Sequence, residues 1–391
     1  MPAAFDGVRV LELGQIYNGP YCGLLLAQLG ADVIKIEPPG GEQLRFRSHQ
    51  PVESHEFVML NSNKRSVVLD LKTDAGRQAL LDLVETADVL IENFAPGTME
   101  RLQLAPQRLL EHNPRLIVAC GKGYGSTGPY AHMSAMDITV QAMSGSAATT
   151  GEPDGPPTKA GAAFVDFSGG IHLFGAVSAA LFQRERTGRG QIVEVSMHDS
   201  VYPMLASSLG GLHNDPDRQL PERTGNRHSG MAVAPYNIYP AIDGWLAIIC
   251  IAERHWHGVA TALGRPELID DPRFGTAKDR VANIDAVDAE VSSVTCTRTR
   301  ADLVRDLQAA GVPCAPVKSI REVDTDEHLI QRGMITYVEH PARGRVPVPG
   351  CPLRLGDSPV GPLRAAPPLG ASTEEVLAEV SGEETQHVVH A

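Results

Sequence analysis

Between residues 8 and 125 short apolar runs alternate with amphipathic segments, and no other feature restricts the fold as strongly. VRVLEL (8–13) is one run, GPYCGLLLAQLG (19–30) has helical spacing closed by Gly30, and DVIKIE (32–37) is a second run. The pattern returns: DAGRQALLDLVETA is an amphipathic helix starting at Asp74, DVLIENF is a strand, and LIVACGKGYG is another. Strands alternating with helices predict an α/β fold with a parallel sheet and helices on its faces. Ligands of such sheets lie beyond the strand C-termini, which singles out the loops GQIYNGP, NFAPG and GKGYGSTGPY.

Farther along, residues 169–186 read as a helix with Ile171, Phe174, Val177, Leu181 and Phe182 on one stripe, closed by the glycines of RERTGRGQ. IVEVSMHD follows as a strand or a strand–helix junction. HNDPDRQLPERTGNRH (213–228) is polar and Pro-containing and reads as linker. YNIYPAIDGWLAIICIA predicts two strands around AIDG, with helices near 254–263 and 299–310, which together make a smaller α+β domain. From about residue 325 the chain is Pro-rich with short strands, as in EHPARGRVPVPGCPLRL, and is expected to pack back on the first domain. The 391 residues therefore divide into a large domain (1–200), a linker (201–228), a small domain (229–325) and a return segment (326–391).

A net charge of −13 argues against a nucleic-acid partner, which needs a basic face, but leaves room for an anionic small ligand in a local basic pocket. Six cysteines with no CxxC spacing predict a reducing compartment and no metal cluster. MPAAFDGVRV lacks the basic and apolar regions of a signal peptide. The apolar runs fall short of the ~20 residues that span a bilayer. A cytoplasmic protein with no membrane partner is the expectation.

Two local features carry chemistry. GYGSTG (123–128) matches GxGxxG, but a dinucleotide site needs a helix opening directly after it, and here Pro129 and Tyr130 follow. It reads instead as a glycine-rich loop that lets backbone approach a ligand closely. Asp166, in TKAGAAFVDFSGGIHLF, stands among small and apolar residues, with no Lys, Arg or second acid between Gly161 and Leu173. A charge there is costly unless it is paired or used. Local pattern alone lets Asp166, or Ser168, cap the helix that follows.

Several blocks in order then carry a resemblance. LELGQIYNGPYCGLLLAQLGADVIKIEPPGGEQLR, NSNKRSVVLDLK, DVLIENFAPGTMERL, NPRLIVACGKGYGSTGPY, MDITVQAMSGSAATTGEPDGPP, VDFSGGIHLFGAVSAALFQRERTGRGQIVEVSMHDS and GVPCAPVKSIREV resemble the class III CoA-transferases (CaiB/BaiF type) from about residue 5 to 375. That family includes formyl-CoA transferases and the related alpha-methylacyl-CoA racemases. The resemblance implies a Rossmann-like large domain, a small domain and an interlocked homodimer whose linkers thread through the partner. It places Asp166 at the family's catalytic carboxylate. A carboxylate nucleophile attacks the thioester, giving a mixed anhydride and CoA thiolate, and the returning thiolate gives an aspartyl-CoA thioester that the acceptor acid attacks. Small apolar neighbours keep water from these intermediates. Backbone N–H groups of the 169–186 helix or of GQIYNGP are candidates for the oxyanion.

The same resemblance separates two chemistries. The racemases carry a His where this chain has Met136, next to Asp137, and a Glu within the segment equivalent to 234–240, which here holds no acid. Met136 cannot exchange a proton, so transfer is the expectation and racemisation the alternative; His132 reads as a surface residue. The formyl-CoA enzymes have Tyr–Glu at 136–137, Gln at 17 and a glycine run near 228–231; Met136, Asp137, Tyr17 and HSGM stand there instead, which speaks against oxalate as acceptor. Asp137 either serves the reaction centre or caps the helix beginning at Ile138. By family position Asn93, Phe94, Ala95 and Arg101 border the nucleotide of CoA, and Lys122 is a further cationic candidate. Tyr17 and Asp137 join Arg47, Arg227 and His228 as substrate-side candidates, and a second basic group among them suits a dicarboxylic acceptor such as succinate. CoA enters as substrate, with no resident cofactor or metal. A third class of reading is a non-catalytic CoA- or NAD-binding module.

Overall fold

The computed structural model describes residues 1–47, 52–215, 217, 219–361 and 363–381. Six Val-, Ile- and Leu-rich segments form one sheet: β1 (Arg9–Glu12), β2 (Asp32–Glu37), β3 (Lys64–Val68), β4 (Val89–Glu92), β5 (Ile117–Lys122) and β6 (Gln191–Ser196). Every pairing is parallel and the order is β3-β2-β1-β4-β5-β6, with Leu11 opposite Ile34 on one side and Leu90 on the other. This is the doubly wound, Rossmann-like arrangement, and its direction reverses between β1 and β4.

Strand periodicity sorts the core into two layers. Leu11, Ile34, Leu90 and Val118 belong to a cluster that includes Leu80, Leu83 and Val84. Val10, Val33, Val89, Ile117 and Ala119 belong to a second cluster with Leu26, Leu173, Val177 and Ala180. The helices along the chain up to this point are α1 (Asn18–Gln28), α2 (His55–Asn61), α3 (Asp74–Thr86), α4 (Thr98–Arg101), α5 (Pro106–His112), α6 (Asp137–Met143) and α7 (Phe164–Thr187). Helix α3 begins where its sequence predicts, with the Thr73 hydroxyl accepting from Gly76 N–H. The longest helix, α7, begins five residues before the expected start, so Asp166 lies in its first turn. Its length and composition would let it cross a bilayer, contrary to the expectation that no run reaches that length; half of the relevant stretch is buried, and Leu173, Val177 and Leu181 spend the apolar face on the sheet.

The chain divides into two compact units: residues 1–140, 162–201 and 325–391, and residues 141–161 with 202–324. The second unit takes in 141–161, expected in the large domain, because Thr158 N–H bonds back to the carbonyls of Ala147 and Thr150, and Arg223 reaches Ala148 O. The segment expected as linker contains the helix Ala206–Asn214. An antiparallel sheet of β7 (Tyr236–Ala241), β8 (Gly244–Ile249) and β9 (Cys314–Pro316) has β8 in its centre. Tyr239, Leu246 and Ile248 join a core with Trp256, Phe274, Val287 and Leu303. Trp256 and Phe274 meet edge to face at 5.6 Å. Arg280, 1% exposed, bonds to Glu253, Ala234 O and Phe274 O.

The chain then returns to the first unit. A hairpin of β10 (Ile335–His340) and β11 (Gly344–Pro349) packs Val338, Val346 and Val348 against Leu24, Leu44 and Phe57. Gln28 donates to Pro349 O and Arg45 to Pro367 O, and the closing helix Thr373–Ser381 buries Val376 in the sheet cluster.

Candidate active site

The loops after β1 and β4 flank the switch point and clamp each other. Gln15 N–H donates to Asn93 Oδ1 (2.8 Å), and Asn93 Nδ2 donates to Gln15 O (2.9 Å). Beneath them lies a buried ionic cluster. Glu12 accepts from Lys35 (3.0 Å) and pairs with Lys64 (2.6 Å), while Lys35 also donates to Gly14 O (2.8 Å). Burial lowers the Lys64 ammonium to about 8. Glu42, itself pushed upward by burial, accepts from Leu44 N–H and Ile16 N–H. Ile16 has φ +63, which a β-branched residue adopts only when its surroundings impose it. The amides of Gln15 and Ile16 are thus committed within the protein, so this loop is a weaker source of oxyanion donors than the sequence suggested.

Asn18, 3% exposed, wedges its amide between two glycines. A Cβ on Gly121 of β5 would lie 2.3 Å from Asn18 Oδ1, and one on Gly169 of α7 would lie 2.2 Å from Nδ2. These glycines let strand, loop and helix close on the start of α7, where Asn18 Nδ2 reaches Asp166 O at 3.4 Å. Sequence reasoning passed over Asn18; the glycines on either side of it in the fold were its signal, but only the fold brings them together.

Asp166 does not cap α7. The helix follows Ala163 with no side-chain cap, and Asp166 is its third residue; Ser168 lies deeper still and contacts His172. The cap comes from another element: Asp137 Oδ2 accepts from Val165 N–H (3.1 Å) and Asp166 N–H (3.3 Å). The reading of Asp137 as the cap of a helix beginning at Ile138 is corrected: it is itself the first residue of α6, and its carboxylate bonds the first turn of α7. Asp166 is 8% exposed as a residue, and its carboxyl makes no hydrogen bond among the described residues. Burial first, and the Asp137 charge second, push it from 3.8 to about 7.

A cavity of about 290 Å³ opens over Asp166 at the strand C-termini, lined also by Gln15, Asn93, Phe94, Ala95 and Lys122. The GYGSTG loop contributes Gly123, Tyr124 and Gly125, in keeping with a backbone that approaches a ligand. A second hollow of about 270 Å³ shares Ala95, Pro96 and Lys122 with the first and extends toward Gln107 and Glu194. Lys122 pairs with Glu92 (2.6 Å) and donates to Phe94 O (3.1 Å). Arg101 lines neither hollow and turns to Thr98 Oγ1 and Pro96 O. Tyr17 stacks on Phe167 with ring centroids 5.6 Å apart, and burial raises its phenol.

Of the basic residues read as acceptor contacts, Arg47 belongs to the first unit and Arg227 and His228 to the second. Arg47 is exposed and outside the cavity wall. Arg227, in the second unit, is held by Asp285 and Asp288 at 2.7 Å each, and Asp288 also accepts from Tyr239 Oη and Asn237 Nδ2. Its charge is consumed by that cluster. His228 Nδ1 accepts from Gly230 N–H, with the ring against Tyr236. Among the described residues no three His, Cys, Asp or Glu side chains converge as a metal site would require.

Fold and cavity define a doubly wound α/β protein with a desolvated carboxyl beside the switch point of its sheet. The sequence matches CoA-transferase family III over residues 5–373, and the chain belongs to that family. A formyl-CoA:oxalate CoA-transferase of Streptomyces coelicolor is 36% identical over 387 residues, covering 95% of this chain and 94% of that protein. A succinyl-CoA:mesaconate CoA-transferase of Haloarcula hispanica is 37% identical over 387 residues, 96% of each. The crystal structure of a CAIB/BAIF family protein from Brucella suis superposes with a TM-score of 0.86 at 34% identity, covering 97% of this chain and 100% of that one.

Proposed function

We propose that the protein moves CoA from an acyl-CoA to a free carboxylic acid, with Asp166 as the nucleophile. The observation that carries this reading is the Asp166 carboxyl itself: buried, without a hydrogen-bond partner, raised to about 7, and facing a cavity. Its ionised oxygen attacks the thioester carbonyl, and the C–S bond breaks to leave an aspartyl mixed anhydride and CoA thiolate. The thiolate then attacks the aspartyl carbonyl, releasing the first acid as carboxylate. The incoming carboxylate attacks the resulting aspartyl-CoA thioester, and thiolate attack on the new anhydride delivers the product and restores Asp166. No water enters the balance, and desolvation favours every nucleophile in it. The hollow bordered by Ala95, Pro96 and Lys122 offers CoA a way in, with Asn93, Phe94, Ala95 and Lys122 along it. Met136 in the cavity wall supplies no base for the racemase alternative.

The relatives assigned to oxalate and mesaconate support transfer to an acid without fixing which acid this chain uses. We read the assembly as an interlocked homodimer, as the family resemblance implies, and the six free cysteines as suited to the cytoplasm. The test is intact and peptide mass after mixing with acyl-CoA and quenching with hydroxylamine. A hydroxamate on the Asp166 peptide, absent in Asp166→Asn, is expected; label on another residue, or transfer by the Asn variant, would overturn the assignment. Light scattering on the purified chain tests the dimer.

A further inference from the structure

We infer that the acyl subsite beside Asp166 takes an uncharged, apolar acyl chain, with Met133, Met136 and Met197 setting that selectivity; this rests on Asp166 being the nucleophile. Met197 packs on α7 one turn beyond Asp166, its Cγ 3.0 Å from where a Cβ on Gly169 would stand. Met136 adjoins Asp137, whose carboxylate holds Asp166 N–H. Met133 lines the same cavity, and Ile16 faces it from the opposite loop. Three thioethers in one wall give a soft, adaptable apolar surface suited to an unbranched alkyl chain.

The charges point the same way. Among the described residues the ionisable side chains lining this cavity are Asp166, Lys122 and Tyr124, and the only cation, Lys122, is taken by Glu92 and Phe94 O. Arg101 and Arg47 lie outside the wall, and Arg227 is committed to Asp285 and Asp288. A second carboxylate on the acyl chain would be desolvated near Asp166 and Asp137, and among the described residues the cavity wall holds no cation free to pair with it. An alkyl end loses nothing there and gains contact with the methionines. On this inference the acceptor is a monocarboxylic acid in place of the dicarboxylic one expected from the arginines.

Butyryl-CoA and succinyl-CoA form a matched pair, since their chains are equally long and differ in the terminal carboxylate. With the full-length protein and a common acceptor acid, kcat/KM for butyryl-CoA should exceed that for succinyl-CoA by at least about tenfold, the size of effect that single groups produce in enzyme pockets. Met136→Arg and Met133→Arg, at positions 50% and 36% exposed, should each move that ratio toward succinyl-CoA by about tenfold while leaving the melting temperature in place. Equal or faster turnover of succinyl-CoA by the native protein, or a ratio unmoved by both arginines, overturns the inference while hydroxylamine labelling of Asp166 persists. Failure of both esters together with an unlabelled Asp166 would instead overturn the nucleophile assignment, and the inference with it.

Discussion

Replacing Asp166 by Asn tests the site through stability as well as activity. In the folded protein the carboxyl rises from 3.8 to about 7 because burial and the Asp137 charge penalise its ionised form. Below about pH 4 folded and unfolded states both hold the proton, and the group is neutral in each. Between about 4 and about 7 the folded state keeps a proton that the unfolded chain has lost, so the native protein loses stability with each step up in pH. Above about 7 both states are ionised and the full penalty applies, of the order of 4 kcal/mol at about 1.4 kcal/mol per unit. Asn carries no charge at any of these values. Whatever its amide costs in the cavity is the same at pH 5 and pH 8, so the informative quantity is the change in the difference. Differential scanning calorimetry of both ligand-free proteins should show Asp166→Asn gaining on the native protein as pH rises. The gain should level off above about 7 and amount to several degrees, roughly 2–4 °C per kcal/mol for a unit of this size. CoA transfer by the variant should fall to background throughout. A melting-temperature difference that is flat from pH 5 to 8 would refute the desolvated carboxyl, and with it the basis for its reactivity.

The remaining predictions concern the groups around it. In the native protein kcat/KM should rise about tenfold per pH unit on the acid side and level near 7, as Asp166 ionises; a flat profile between pH 5 and 7 would count against it. Asp137→Asn keeps an acceptor for Val165 and Asp166 N–H but removes the like charge, so the acid limb of that profile should move to lower pH. Gly169→Ala places a Cβ 2.2 Å from Asn18 Nδ2, inside the wedge; thermal melts should show a loss of about 1–3 kcal/mol and transfer should slow, although alanine favours a helix. Arg227→Met should cost about 1–3 kcal/mol by calorimetry, from lost bonds to Asp285 and Asp288, with the acceptor KM unchanged.

What could be read from the chain follows from the range of the interactions involved. β1, β2 and α3 are encoded locally, by apolar runs and by the Thr73 cap, and their places were legible. Asp166 was legible as an isolated acid and through the blocks that resemble the CoA-transferases, but its surroundings were not. Capping of α7 by Asp137 spans 29 residues, and the wedge of Asn18 between Gly121 and Gly169 joins three segments. Arg227 looked like a free cation because Asp285 and Asp288, which neutralise it, come about sixty residues later. The helix Ala206–Asn214 was missed because its Ser- and Gly-containing run has weak helical propensity and leaves none of its residues fully buried.

The position of Asp137 explains how an acid in the first turn of a helix can carry a raised proton affinity. A helix N-terminus ordinarily stabilises a carboxylate, through free N–H groups and the macrodipole, by about 0.3–1 kcal/mol at an exposed site. At α7 the N–H groups of Val165 and Asp166 are already taken by the Asp137 carboxylate. The favourable end of the helix is therefore spent on Asp137, and Asp166 receives its charge as repulsion. With no donor of its own and 8% exposure, Asp166 keeps only the unfavourable contributions. A carboxylate left in that state has little to lose on forming a bond to an acyl carbon. One acid thus fixes the helix and burdens its neighbour, which is the condition the proposed nucleophilic role of Asp166 requires.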